Sequence, residues 1–405
     1  MHDLSVNWGR FSARGSDDFE NKITKSVRSI TEEFELIIPK EKCVALVLLG
    51  GYGRGEGGVT FDKEKEKPHN NLDLLLLTKN LDEEQTKKLL FDLNKKAVEL
   101  SEKNQIMLDI SAMPADKLTN ASNLIIWYDM HHGHKTLIGD PQFISSLKQF
   151  TLETIPKWDA LNLLVNRGAL LIINDLILNQ KPELTDDFKR LIIKHTMKAI
   201  IGFGDSLLFI TGNYHWSYLE KLKRFESNEH MDSNFKKLYR EAANFRLEAR
   251  YQGYLQKDLK IWLKEIKQTL EAVMLEFERL RLRCPELNWQ NYLTTASAFS
   301  LTDDISLKGL MKKIKNISVK ENISSSLPMC SSFGIKSLNH SGRLALFFPL
   351  VAFGVADPTY RKFAKEFFQI TNMSEVELTK KFLQYWGTHV DINFQNVVKK
   401  YGLKL

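Results

Sequence analysis

Two short apolar runs, and the glycine-rich stretch that separates them, constrain this chain more than any other feature. Residues 44–49 have the composition of a buried strand and break into Gly50-Gly51-Tyr52-Gly53-Arg54-Gly55-Glu56-Gly57-Gly58. The second run, residues 72–77, encloses one acid, Asp73. Glycines supply positive φ angles, and without a Cβ they let backbone N–H groups close on an anion. A carboxylate inside an apolar strand has to offset its desolvation, and a divalent cation is the usual means. Together the two features point to a phosphate-holding turn beside a metal-binding strand.

Other readings of such a turn compete. Residues 53–58 literally fit the dinucleotide pattern G-x-G-x-x-G, but that pattern needs a helix to follow at once. The next residues, 59–71, instead hold a charge run over 62–67 and then Pro68, and no amphipathic helix can be read there. A Walker A loop needs Gly-Lys-Ser/Thr after its spacer, and none is present. A surface hairpin with a glycine-rich turn is the bland alternative. Asp73, taken without the glycine loop, reads first as a partner for a buried Arg or a cap for a neighbouring helix.

Gly50-Gly51-Tyr52-Gly53-Arg54-Gly55-Glu56, followed by Asn70-Asn71-Leu72-Asp73-Leu74-Leu75, resembles the signature of the DNA polymerase beta-like nucleotidyltransferase superfamily, in particular its minimal nucleotidyltransferase branch. That branch carries a Gly-Ser or Gly-Gly turn, an Arg-Gly-Glu, an Asp-x-Asp on the next strand and a third acid on a later one, which Asp109 within residues 105–113 matches. About a quarter of the chain is covered by these motifs, which are specific for the superfamily and not for a substrate. The resemblance implies an α+β fold, a small mixed-sheet core with flanking helices followed by a large all-helical domain. It implies a nucleoside triphosphate, ATP first, held with Mg²⁺ (or Mn²⁺) by Asp73 and Asp109, which also form the catalytic pair. Gly50 and Gly51 would cradle phosphate, Tyr52 belongs to the same turn, and Arg54 and Glu56 would brace the loop as a salt bridge. The acceptor implied is a hydroxyl on a small molecule or a protein.

Strand geometry makes sense of these positions, because residues 71 and 73 share one face of a strand. With the strand of Asp109 beside it, all three converge on one or two cations, which would stabilise the attacking and leaving oxygens of an in-line displacement. Asn71 stands where the family has the first Asp. Its side-chain oxygen still coordinates a cation, but it is neutral, and the loss of a charge weakens a second metal most. The chain then reads as a weak enzyme, a one-metal enzyme, or a nucleotide-binding relative that acts through a protein or RNA partner. Glu56, Asp62, Glu64 and Glu66 are the acids near enough in sequence to substitute.

At 405 residues the chain exceeds one ordinary core, and the sequence divides as 1–150 and 151–405, with a subdivision point near 324–332. Hydrophobic content of 43% and charged content of 26% describe a soluble globular protein. The apolar run at 344–356 contains Pro349 and is too short for a bilayer, and the first residues lack the apolar core of a signal peptide. Cys43, Cys284 and Cys330 are widely spaced and odd in number, which suits reduced thiols in the cytoplasm. The net charge of +7 is scattered. Its clusters at 308–320 and in the tail lie on an amphipathic face or stand alone, so nucleic-acid binding is not favoured.

Along the chain the sequence predicts a helix over 17–38, strands over 44–49, 72–78 and 105–113, and a helix over 82–102, an α/β alternation. A helix over 120–133 and a closing segment at 135–140 come next. The cluster His131-His132-Gly133-His134 has irregular spacing for a metal and reads as structural or exposed. Helices are then predicted over 158–179, 186–211, 232–252, 255–282, 307–316, 340–355, 359–370 and 374–386. In the second of these Lys194, Lys198 and Asp205 lie near one stripe. The lysines are either nucleotide-phosphate contacts or a wet helix edge. The loop at 212–218 is rich in hydrogen-bonding aromatics that would serve as an acceptor platform or as packing residues.

Overall fold

The computed structural model describes residues 7–229, 231–303, 306–318, 329–355, 357–371, 374–391 and 394–405. The chain forms two compact units: the first comprises residues 1–156, 214–229 and 240–250, and the second the rest. The sequence places a single cut at residue 150, whereas two later segments join the first unit. Most of the subdivision point expected near 324–332 lies outside the described residues.

The first unit is α+β. Its main sheet has strands β1 (Cys43–Leu49), β4 (Leu72–Thr78), β5 (Leu108–Pro114) and β6 (Lys135–Gly139), in the order β5-β4-β1-β6. β1 runs antiparallel to both neighbours, while β4 and β5 are parallel and joined by helix α3 (Glu83–Asn104). A parallel pair requires such a crossover. Helix α3 starts on a capping box, with the Asp82 side chain accepting from the Gln85 amide, and ends where Gln105 turns left-handed at φ 54°.

β1 reads as an unbroken apolar run because both sheet faces are covered. Leu46 and Leu48 point to helix α1 (Asp17–Glu35), whose stripe Phe19, Ile23, Val27, Ile30 and Phe34 is buried, and to Leu93, Ala97 and Leu100 of α3. Ala45 and Val47 point the other way, into a second cluster with Leu75, Leu77, Met130, Ile144 and Phe150. The helix expected over 120–133 starts later, as α5 (Ile125–His132), and a separate short helix α4 (Ala115–Thr119) precedes the region.

Between β1 and β4 the chain makes a one-turn helix α2 (Gly50–Gly53) and a hairpin of β2 (Val59–Asp62) and β3 (Lys65–Pro68). The hairpin turn falls at Lys63 and Glu64, with φ 46° and 67°, and not at the glycines. β2 also pairs in parallel with β7 (Glu248–Ala249).

The second unit is helical. Helices α6 (Lys157–Gln180) and α7 (Asp186–Ile210) pack along each other, and α11 (Leu259–Leu282), α15 (His340–Phe353) and α17 (Glu375–His389) pack on α6. Around this nucleus stand α10 (Gln252–Leu255), α12 (Tyr292–Thr302), α13 (Leu307–Ser318), α14 (Met329–Ser337), α16 (Pro358–Phe367) and α18 (Phe394–Lys400). By length and composition α6 alone, among the described residues, is apolar enough to cross a membrane; 61% of that stretch is buried inside the protein.

Of these helices the sequence reading lacked α10, α12, α14 and α18, together with α8 (Tyr218–Ser227) in the first unit. α8 had a readable start. Ser217 caps it by accepting from the Glu220 amide, the Ser-x-x-Glu spacing of a helix N-terminus. The helix predicted over 232–252 stops earlier, as α9 (Ser233–Leu247), because the chain next extends to pair with β2.

Candidate functional site

The residues singled out on β1, β4 and β5 meet at one end of the main sheet. Leu49, the last residue of β1, pairs with Asp73, and Asp73 aligns with Asp109 across the parallel β4–β5 ladder. Aligned residues of a parallel pair put their side chains on one face, so the two carboxylates stand side by side. Gly50 follows with φ +66°, and a Cβ built there would lie 2.4 Å from Asp73 Oδ2. The glycine is therefore required twice, by its backbone conformation and by the approach of the carboxylate.

Asp73 is not desolvated. Asp73 is exposed, one residue in from the start of β4, and Asp109 is exposed as well. Their neighbours Leu72, Leu74, Leu108 and Ile110 are buried. The apolar context reflects the alternation of the strands, which leaves both acids facing out.

Asn71 joins the pair: its Nδ2 donates to Asp109 Oδ2 at 2.6 Å. Two carboxylates and an amide oxygen on one exposed face suit a single hard cation such as Mg²⁺ or Mn²⁺, which takes few protein carboxylates and completes its shell with phosphate and water. They do not make a three-acid set, and among the described residues no three of His, Cys, Asp and Glu gather around one point. The acids near in sequence are engaged elsewhere. Asp62 pairs with Lys67 at 2.6 Å, Glu66 accepts from the Ser16 amide, and Glu64 sits in the hairpin turn.

The expected Arg54–Glu56 salt bridge is replaced by a different arrangement. Arg54 is buried, and its Nη1 lies 3.0 Å from Asp129 Oδ2 and 3.2 Å from the Trp216 carbonyl. Burial works against its charge, but Asp129, Tyr218, Tyr214 and Glu56 outweigh that and raise its pKa. Glu56, also buried, accepts from the Ser217 hydroxyl at 2.5 Å and from the amides of Tyr218 and Leu219 at 2.8 and 3.3 Å. An acid on the first amides of a helix is the arrangement the helix dipole favours. Arg54 and Glu56 thus tie the glycine turn to α8, and their side chains are committed to that task.

Tyr52 is also internal. Its ring is fully buried, its hydroxyl donates to the Gly58 carbonyl at 2.8 Å, and burial pushes its pKa up. Only its backbone is left to meet a ligand, on the short helix whose first N–H groups, from Gly50 onward, have no intrahelical acceptor.

The aromatic loop at 212–218 packs and braces. Tyr214 is buried with its hydroxyl on Asp129 Oδ1 at 3.0 Å, and the ring of Tyr218 carries the cations of Arg54, Lys221 and Arg246 at 4.9, 4.1 and 4.3 Å. Sequence reasoning missed Asp129 and Arg246, which lie far from the motif in the chain and match none of its positions.

Lys194 and Lys198 are half-buried on α7 of the second unit. Between them His195 is buried with its Nδ1 2.9 Å from Asn174 Oδ1, its pKa pushed down to about 3 by burial and then by Lys198 and Lys194. Asp205 is turned into the helical core, where the Tyr239 hydroxyl donates to it at 2.8 Å. The histidine cluster is structural in part: His131 Nδ1 lies 3.0 Å from the Ile144 carbonyl and His134 Nδ1 2.9 Å from that of Met130.

Two glycines of like backbone test the fit at Gly50. Gly212 has φ +75° with open space around it, against +66° and the Asp73 contact at Gly50. Alanine at either position is expected to cost about 1–2 kcal/mol in urea unfolding, from the left-handed backbone. Only Gly50→Ala is expected to weaken Mn²⁺ binding measured by calorimetry, because its methyl group displaces the carboxylate. Unchanged Mn²⁺ affinity in Gly50→Ala would exclude Asp73 as a ligand held by that turn. No protein-family model matches the chain, and no curated protein matches it at a significant level.

Proposed function

We propose that the first unit binds a nucleoside triphosphate, ATP first, together with Mg²⁺ or Mn²⁺, and transfers the nucleoside monophosphate to a hydroxyl acceptor on a small molecule or a protein. The observation that carries this reading is the register of Asp73 against Asp109, with Gly50 shaped around the Asp73 carboxylate. Asp73 and Asp109 hold the cation, with the Asn71 oxygen as a neutral third donor. When bound, that cation neutralises phosphate oxygens and charge on the leaving group. The N–H groups of Gly50 and Gly51 bind phosphate. The acceptor oxygen forms a bond to the α-phosphorus as the bond to the bridging oxygen breaks. Pyrophosphate leaves, and Asp109 takes the acceptor proton. Arg54 and Glu56 hold the turn and do not touch substrate.

A second reading, a nucleotide-binding module with weakened chemistry that acts through a protein or RNA partner, is favoured by the Asn71 contact. The amide that donates to Asp109 at 2.6 Å occupies a carboxylate oxygen that metal binding and proton transfer both need.

Pyrophosphate release separates the two. The protein is incubated with each of the four nucleoside triphosphates, Mg²⁺ or Mn²⁺ and a cell extract as acceptor source, with EDTA in a parallel set. Release that stops with EDTA is the expected result. Metal-dependent nucleotide binding without release supports the second reading, and neither binding nor release overturns both.

A further inference from the structure

We infer that Arg246 is the cation that grips the phosphate tail of the nucleotide, an inference that rests on the reading of the glycine turn as a nucleotide site. Arg246 comes near the end of α9, and its backbone is pinned from both sides of the turn: Glu248 and Ala249 pair with Val59 and Thr60, and a Cβ on Gly58 would lie 2.5 Å from the Arg246 carbonyl. From that anchor the side chain reaches the turn, with Nη2 3.4 Å from where a Cβ on Gly51 would stand. Its guanidinium carbon lies 4.3 Å over the ring of Tyr218, and the Tyr218 amide donates to Glu56 at 2.8 Å. The guanidinium is thus held in place by the same residues that hold the turn.

Its charge has no acid to answer it. Neighbouring arginines of the first unit are paired: Arg54 with Asp129, Arg240 with Glu226 and Arg250 with Glu248. Among the described residues no carboxylate pairs with Arg246, and its Nε is buried without a hydrogen-bond partner. Glu56, the acid on the same ring's backbone, is taken up by three donors of α8. A buried guanidinium N–H left unmet is costly, and a planar fork beside a glycine turn matches the oxygens of a phosphate. The ligand class this assigns is a polyphosphate chain, with the turn's N–H groups on one side and the Arg246 fork on the other.

The test uses the full chain in EDTA, so that the metal site adds nothing, titrated with ATP and separately with inorganic tripolyphosphate. Native protein is expected to bind both, and Arg246→Gln to bind both about tenfold more weakly or worse. Arg246→Lys keeps the charge and loses the fork, and is expected to fall between. Thermal melts report whether each variant is folded, and the lysine variant carries the test if the glutamine variant is not. Equal ATP affinity in native and Arg246→Gln overturns the inference and leaves the nucleotide reading standing. Tripolyphosphate binding lost in Arg246→Gln, with no preference for ATP in the native protein, supports the anion role and counts against the nucleotide reading. No binding of either anion by the native protein overturns the inference, and metal-dependent pyrophosphate release then decides the reading by itself.

Discussion

Asp129→Ala is expected to destabilise the first unit by about 3–5 kcal/mol, because it leaves the Arg54 guanidinium buried without its paired carboxylate. The Arg54 side chain is 7% exposed and that of Asp129 19%. One Asp129 oxygen takes Arg54, and the other takes the Tyr214 hydroxyl. With Asp129 gone, the Trp216 carbonyl and the Tyr218 ring remain in contact with the guanidinium, and Glu56 acts on it only at longer range. The effect should be local to this pair. Glu83→Ala, which breaks the exposed Lys87–Glu83 contact, is expected to leave the unfolding midpoint nearly unchanged. Urea unfolding of the two variants gives the comparison. Because most of the penalty is an uncompensated charge, the double variant Arg54→Met with Asp129→Ala should recover a good part of it. A loss below about 1 kcal/mol in Asp129→Ala, or no recovery in the double variant, would show that the pair is not what holds the glycine turn to α5 and α8.

The pairing partners of the motif residues were the part the sequence concealed. The strand ends were legible because β1 and β4 are buried on both faces and read as apolar runs, and α3 between two such runs forces a parallel pair. From that, Asp73 and Asp109 on one face followed. What Arg54 and Glu56 touch did not follow, since Asp129 and Ser217 stand 75 and 161 residues away in the chain and nothing local connects them. The same distance hid Arg246 from motif reasoning. The hairpin at residues 59–68 was obscured for another reason. Its turn uses Lys63 and Glu64 in left-handed conformations that glycine or asparagine usually occupy, so the charge run masked the strands on either side. Helix α12, with its threonines and serines, offers little local helix preference and is built by packing, its Tyr292, Leu293 and Ala296 being buried in the second unit.

Asp73→Ala is expected to lower metal-dependent pyrophosphate release by about a thousandfold or more, and Asn71→Asp to raise Mn²⁺ affinity by about tenfold or more. The first figure follows from a bound cation contributing several kcal/mol to the stabilisation of charge in the transition state, at about 1.4 kcal/mol per decade of rate. Asp73 supplies one of the two carboxylates aligned there, on an exposed strand end, and thermal melts report whether the variant is folded. The second figure follows from the Asn71 geometry. An Asp at position 71 turns an amide that donates to Asp109 at 2.6 Å into a carboxylate facing a carboxylate. That contact is repulsive without a cation and attractive around one, so the gain in metal affinity and a loss of metal-free stability should appear together, measured by calorimetry and by thermal melts with and without Mn²⁺. Turnover then ranks the two functional readings. Release in the native protein that vanishes in Asp73→Ala marks a transferase that works with an amide in its metal set, whereas release confined to Asn71→Asp marks a nucleotide-binding protein in which one side chain holds the chemistry off. If Asn71→Asp gains neither metal affinity nor turnover, Asn71 does not share a cation with Asp109, and the pair is only a strand-end hydrogen bond.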